Sequence, residues 1–438
     1  MRFPFPRSAT NLSRNQQLAL LLALLAAFST WFYLQRVLIV HQQNDAAIHG
    51  TPRGNLSDLY PRWLGARELL LHHRDPYGSD ITREIQIGYY GRVLDPGRSH
   101  DPKDQQAFAY PVYVVFLLAP TIQLPFHTVQ AWSQPLFVIL IAATVLLWLR
   151  VIQWHSSRST IAILLLLTLS SFPALQGFKL QQLSVVVSAM LAGCIALVVS
   201  GHLLPAGILL AIATIKPQLA LPLAGWLALW SFSDWRRRWR LLAGFFVAMT
   251  ILLGGAQWIL PGWLSRFRAA VSAYRDYTGG GSSLLDVLLS PAIGKVLTLS
   301  LSLVILFVCW KMRSQAEQTS NFALTTALVI AATVVVIPTF ALYNQLLLLP
   351  GIFLLFRSRD SLRNKNWPLR LAWFGAGLTV AWPWISASAI GLASLVLPSE
   401  LIDRAWTLPL YTSLAIPVAV CGLLIPLALD AARGLSSR

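Results

Sequence analysis

Carboxylates are the residues of this chain best suited to chemistry, and most of them stand in one polar stretch. Nine of the 17 acidic residues fall within His41–Gln106: Asp45, Asp58, Glu68, Asp75, Asp80, Glu84, Asp95, Asp101 and Asp104. A carboxylate there can accept a proton from a hydroxyl, cap a helix or bind a cation. The chain has no Asp-x-Asp, the usual handle for a metal-bound diphosphate, and its acids are not clustered with histidines at ligand spacing. A second residue of interest is Lys216, directly before Pro217. A residue before proline is driven out of the α region, so a helix ends there and another begins at Pro217, its free N–H groups and dipole favouring an anion beside the lysine. The same lysine can equally snorkel to the membrane interface.

The elements that must position these groups are membrane spans. The sequence is 56% hydrophobic and 12% charged, with mean hydropathy +0.60. That is more apolar surface than a soluble fold of 438 residues can bury, and the runs have the length of about 17–25 residues that a helix needs to cross hydrocarbon. An all-α, polytopic integral membrane protein is expected, with one transmembrane domain over 1–438. The first run, 17–40, follows Arg2, Arg7 and Arg14 but continues past the length of a signal-peptide core, so it reads as a retained span. Cys194, Cys309 and Cys421 each lie in an apolar run without a partner at metal-site spacing.

The net charge of +17 does not point to nucleic acid, because the basic residues are spread over short loops. Loops at 234–240, 311–313 and 357–370, the last with Arg357, Arg359, Arg363, Lys365 and Arg370, read as cytoplasmic under the positive-inside rule, as do the ends with Arg433 and Arg438. With both termini inside, 41–130 is an extracytoplasmic and juxtamembrane loop, 131–260 holds core spans, 261–290 is a second outer loop and 291–430 holds the C-terminal spans. Thirteen apolar runs occur, and parity requires one not to cross. The short, proline-bounded run 108–123 is the one left out, which gives about twelve transmembrane helices; the alternative merges 203–232 into one kinked helix and puts Arg150 and Arg158 outside.

Asp58 lies less than twenty residues beyond the first span. Leu59, Trp63, Ala66 and Leu70 follow at i, i+4, i+7 and i+11 from Leu59, an amphipathic helix suited to the membrane surface. An aspartate before a helix fits an N-cap as well as a base. Asn55-Leu56-Ser57 matches the glycosylation pattern, which is frequent by chance.

The order of short motifs resembles glycosyltransferase family 87, the DUF2029-type, GT-C transferases that use polyprenyl-phosphate sugars and include mannosyltransferases. The matching pieces are Ser57-Asp58-Leu59, Ala66-Arg67, Asp75-Pro76-Tyr77, Ala109-Tyr110-Pro111 running to Leu124-Pro125, Gln181-Gln182-Leu183-Ser184, Gly207 through Lys216-Pro217, the Arg-rich turn at 236–240 and the Tyr343 region. Two departures stand out. Gln181 occupies a position where the family usually has glycine, and no histidine precedes Tyr343.

The resemblance implies a membrane glycosyltransferase that moves a hexose, mannose foremost, from a polyprenyl-phosphate donor to a lipid or glycan acceptor. The reaction would take place on the outer side of the plasma or inner membrane. A phosphate is already a good leaving group, so the site needs a base for the acceptor hydroxyl and cations for the departing phosphate. Asp58 is the expected base, and a single displacement predicts inversion. Lys216, Gln182, Arg62, Arg67, Tyr110, Tyr343 and Asn344 are the expected substrate-binding residues. No cofactor and no essential metal are expected; the partners are the lipid-linked donor, the acceptor and membrane lipids, with no nucleic acid. The rival class is a lipid or sugar transporter or flippase. Carriers place carboxylates at mid-membrane depth, whereas here no acid falls inside an assigned span except Asp430 at the last boundary.

Overall fold

A computed structural model describes residues 13–48, 57–95, 97–98, 101–102, 105–277, 282–337, 341–363 and 367–436. Arg2, Arg7, Asn55, Asp104, Lys365 and Arg438 lie outside the described residues. The described chain is helical throughout, with no strand. The first helix, α1 (Arg14–Ile48), opens on a capping box between Ser13 and Gln16 and loosens into a π-turn at Leu34–Leu38. After it come α2 (Leu59–His72), α3 (Ser79–Tyr90), the one-turn α4 (Val114–Leu118) and the long α5 (Phe126–Val151). The core continues with α6 (Arg158–Leu169), α7 (Phe172–Lys179), α8 (Leu183–Val199), α9 (Leu203–Ala213), α10 (Pro217–Ser233) and α11 (Trp235–Ile259). A peripheral α12 (Trp263–Tyr277) precedes α13 (Pro291–Met312), α14 (Ser320–Val336), α15 (Leu342–Arg357), α16 (Trp367–Ala393), α17 (Ser399–Ala405) and α18 (Ala415–Ser436).

Among the described residues, six stretches are long and apolar enough to cross a membrane unaided: α1, α5, α11, α13, α16 and the run from Ser399 to Leu435. A seventh arises if α6 and α7, bent by 56° at their break, count as one. The expected span at 159–175 is therefore a broken helix, because Ser170 and Ser171 interrupt it and Ser171 caps α7 by accepting from the Ala174 N–H. The 108–123 stretch contains only α4 and a 3₁₀ turn at Ala119–Thr121. Five helical residues rise about 7.5 Å, far short of a bilayer. At the outer faces of α11 and α13, Phe246, Val247, Ile251, Val296, Leu299, Leu303 and Leu306 are exposed, as lipid-facing positions must be.

The centre of the bundle is α14, buried from Phe322 to Val335. A helix that is apolar all round belongs there, and its threonines are paired: Thr325 and Thr333 donate to the carbonyls of Asn321 and Val329, each at 2.8 Å, and Thr326 accepts from the Trp226 indole at 3.1 Å. Helices α9 and α11 cross in close backbone contact, with Gly207 and Gly244 facing the opposite backbone. A Cβ at Gly207 would overlap the Leu241 carbonyl, and one at Gly244 the Leu204 carbonyl. Small residues allow this approach where lipid supplies no hydrophobic drive between helices. Gly207→Leu should accordingly lower thermal stability in detergent by at least about 2 kcal/mol, the scale of overpacking that backbone cannot relieve. An unchanged melting temperature would mean that the helices can part freely.

The apolar face of α2 is covered by protein and does not lie open to the membrane surface. Trp63 and Tyr60 pack on Phe126, Trp63 donates to the Thr121 carbonyl at 3.2 Å, and Gly65 has Phe108 directly above it. The α2–α3 turn is tied by Arg74, which bridges Glu68 at 2.8 Å, Asp80 at 2.9 Å and Glu84 at 2.5 Å.

One end of the bundle gathers the basic loops. Gln16 reaches Ser157 at 3.2 Å, Arg150 reaches Ser200 at 3.1 Å, Gln153 reaches the Gln318 carbonyl at 3.1 Å, and Arg357 donates to the Ile152 carbonyl. Within the Arg-rich turn, Arg238 is buried against Trp230 and donates to the carbonyls of Trp230, Arg313 and Gln315. It closes the C-terminal ends of α10 and α13, a use of arginine at helix ends that the charge pattern alone does not distinguish from a cytoplasmic anchor.

Candidate functional site

At the opposite end, several breaks in the helical path converge: Ser57-Asp58 before α2, Tyr110 before α4, Leu180–Gln182 between α7 and α8, Thr214–Lys216 between α9 and α10, and the first turn of α15. The break at Lys216 has a local cause. Lys216 adopts φ −119° and ψ 82° because Pro217 follows, and α10 starts at that proline. Tyr113 pins the same break by donating to the Thr214 carbonyl at 2.9 Å. Tyr77 holds Tyr110 by donating to its carbonyl at 2.6 Å.

Asp58 stands at the N-cap position of α2, yet its side chain makes no cap hydrogen bond. Its backbone N–H donates to the Leu180 carbonyl at 3.0 Å, which turns the residue toward the α7–α8 break. The carboxylate accepts from the Gln182 side-chain amide through Oδ2 and from the Tyr89 hydroxyl through Oδ1 at 3.4 Å. Of the two roles open to this aspartate, helix capping is thus not the one the fold uses. Arg62, one turn along, donates to the Asp58 carbonyl at 2.8 Å and lies 4.7 Å above the Tyr110 ring.

Lys216 is 6% exposed, so it does not reach out to the interface. Its ammonium donates to Gln182 Oε1 at 2.9 Å and to Ser184 Oγ at 2.6 Å, and Ser184 passes its own proton to Asn344 Oδ1 at 2.8 Å. The ring centroids of Tyr343 and Tyr110 lie 5.0 and 5.6 Å from Nζ, within cation–π range. Burial pushes the Tyr110 phenol up to about 12 against the opposing pull of Arg62, so the ring stays neutral between the two cations. Gln182 therefore has a fixed orientation, its NH₂ toward the carboxylate and its oxygen toward the ammonium. Lys216 and Arg62 against Asp58 leave one positive charge in excess, an arrangement suited to an anion next to a proton acceptor.

The fold brings together Asp58, Arg62, Tyr110, Gln182, Lys216, Tyr343 and Asn344. Arg67 stands apart. It lies on the other side of α2, since residues five apart on a helix are about 140° apart, with its guanidinium 5.4 Å from the Trp63 ring and Nε buried without a hydrogen bond. Two further residues complete the site. Ser184 stands two places after Gln182, where the first turn of α8 lets both side chains meet Lys216. Tyr89 has no sequence signal at all, being brought to Asp58 by the packing of α3 on α2. Gln181, in place of the family's usual glycine, has φ +49°, a left-handed conformation that explains why glycine suits the position. Among the described residues, no three His, Cys, Asp or Glu side chains cluster as they would around a metal ion.

The family model for glycosyltransferase family 87 matches residues 108–339. No curated protein and no solved structure matches the chain. The matched stretch includes Tyr110, Gln182, Ser184 and Lys216; Asp58 precedes it and Tyr343 follows it, so both join the site through the fold. More than half of the chain, including Gln182 and Lys216, is covered by that model, and the protein is therefore a membrane glycosyltransferase belonging to family 87.

Proposed function

We propose that this transferase moves a hexose, mannose foremost, from a polyprenyl-phosphate donor to a hydroxyl of a lipid or glycan acceptor, with inversion. The observation that carries the reading is the single amide of Gln182 joining Asp58 and Lys216, which sets a base and a cation one side chain apart. In the reaction the acceptor oxygen bonds to the anomeric carbon as the bond from that carbon to the phosphate oxygen breaks. The acceptor proton goes to Asp58, and the electron pair leaves on the polyprenyl phosphate, whose charge meets Lys216 and Arg62. Tyr343 directly, and Asn344 through Ser184, brace the ammonium, and no metal is required for a phosphate held by two cations. The decisive assay is purified protein with labelled polyprenyl-phosphate-mannose and a membrane lipid extract. A labelled product formed by the native protein and absent with Asp58→Ala is expected; no product with either, while donor binds, would sink the reading.

The active site belongs on the extracytoplasmic side in this scheme. α10 begins at the site and runs 17 residues to the Arg-rich turn, a rise of about 25 Å, close to the thickness of hydrocarbon. The positive-inside rule puts the arginines, and with them both termini, in the cytoplasm. Twelve crossings then follow in order: α1, α5, the bent α6–α7 pair, α8, α9, α10, α11, α13, α14, α15, α16 and α18. Cysteines introduced at His155, Arg237 and Arg359 should be labelled only from inside, and those at His72 and Arg268 from outside. Labelling of position 155 from outside would overturn the assignment of 108–123 as non-crossing.

A further inference from the structure

We infer that Gln181 is a positioning residue that latches the Asp58 segment in place through Ser57. Gln181 is 2% exposed. Its side-chain oxygen accepts from the Ser57 hydroxyl, and its NH₂ donates to the Gln130 carbonyl at 2.8 Å and to the Ser133 hydroxyl. One amide thus fastens three parts of the chain: the residue before Asp58, the first turns of α5 and the α7–α8 break. The neighbours on either side of Gln181 complete the grip on Asp58, Leu180 through its carbonyl to the Asp58 N–H and Gln182 through its NH₂ to the carboxylate.

The backbone makes this choice informative. At φ +49° a residue other than glycine bears a steric cost. Glycine would remove that cost and keep the turn, so what glutamine adds is the set of buried hydrogen bonds. Those bonds hold the segment that carries Asp58, and none of them is made to Lys216, Ser184 or Arg62. Loss of the latch should therefore impair the proton-accepting step and leave the phosphate's cations in place.

This inference rests on the reading of Asp58 as the base, and its test has two arms that fail separately. Hydrogen exchange in detergent reports the latch directly, because the Asp58 amide is bonded to Leu180. In Gln181→Gly, exchange at residues 57–60 should quicken by about 10-fold, and in Ser57→Ala by several-fold, with the melting temperature of Gln181→Gly close to that of the native protein. With polyprenyl-phosphate-mannose, turnover of Gln181→Gly should fall by about 10-fold while the donor KM stays within about 2-fold, as for a misplaced catalytic group. The double variant should be no slower than Gln181→Gly, since both changes break the same connection. Unchanged exchange at 57–60 in both single variants would overturn the latch. So would kcat and KM deteriorating together with a lower melting temperature. If the native protein does not turn over this donor, the function reading falls and exchange alone decides the latch.

Discussion

Asp58→Asn is expected to cut glycosyl transfer by at least about 100-fold, the scale for loss of a positioned general base, while folding and donor affinity stay near native. The substitution is nearly isosteric. The asparagine oxygen can still accept from the Gln182 NH₂, and its own NH₂ can donate to the Tyr89 hydroxyl, which can serve as acceptor. The backbone bonds at this position, from the N–H to Leu180 and from Arg62 to the carbonyl, are untouched. What the variant cannot do is take a proton. Because Asp58 caps no helix with its side chain, the stability loss of about 1 kcal/mol that follows removal of an N-cap should be missing. Steady-state turnover measured with donor binding and thermal melting separates the cases. Native-like turnover would move the base elsewhere, and Asp75 is poorly placed to inherit the role: its carboxylate accepts from the Tyr77 N–H at 3.0 Å and pairs with Arg266 at 3.2 Å.

Lys216→Met should weaken donor binding by at least about 10-fold, equivalent to about 1.4 kcal/mol, and slow transfer as well. Methionine fills a similar volume, so the loss is of charge and of two donated hydrogen bonds, to Gln182 and Ser184. Removing the buried ammonium relieves its own desolvation cost but leaves the Gln182 oxygen without its donor, which costs about 1–3 kcal/mol for an unsatisfied buried group. The two effects oppose each other, so the melting temperature should change little while donor affinity falls, a combination that a packing defect does not produce. Lys216→Arg should restore only part of the affinity. The flat guanidinium is larger than an ammonium, and the position is enclosed by Tyr110 and Tyr343. Donor affinity for the two variants decides the matter; unchanged binding by Lys216→Met would remove the residue from the phosphate site.

By itself the sequence determined the membrane class, because apolar runs of spanning length between polar loops have few other folds open to them. It also marked Asp58 as an acid stranded outside the spans, and Lys216 as a helix break, since proline dictates the conformation of the residue before it. The motif order carried Gln182, Tyr110, Tyr343 and Asn344. Local rules could not decide what these side chains do. An N-cap and a base look alike in sequence, and so do a snorkelling lysine and a buried one, because the difference lies in which distant segment comes to meet them. The tertiary structure excluded the cap and the snorkel by closing these helix breaks onto one another. The bond from Asp58 to Leu180 faces the carboxylate toward Gln182, and the glycine crossing of α9 and α11 sets the helix that leads into the Lys216 break. The same long-range packing recruited Tyr89 and turned Arg238 from a surface charge into a helix cap. Each of these outcomes depends on contacts between residues tens or hundreds of positions apart, and periodicity or propensity within a window holds no information about such contacts.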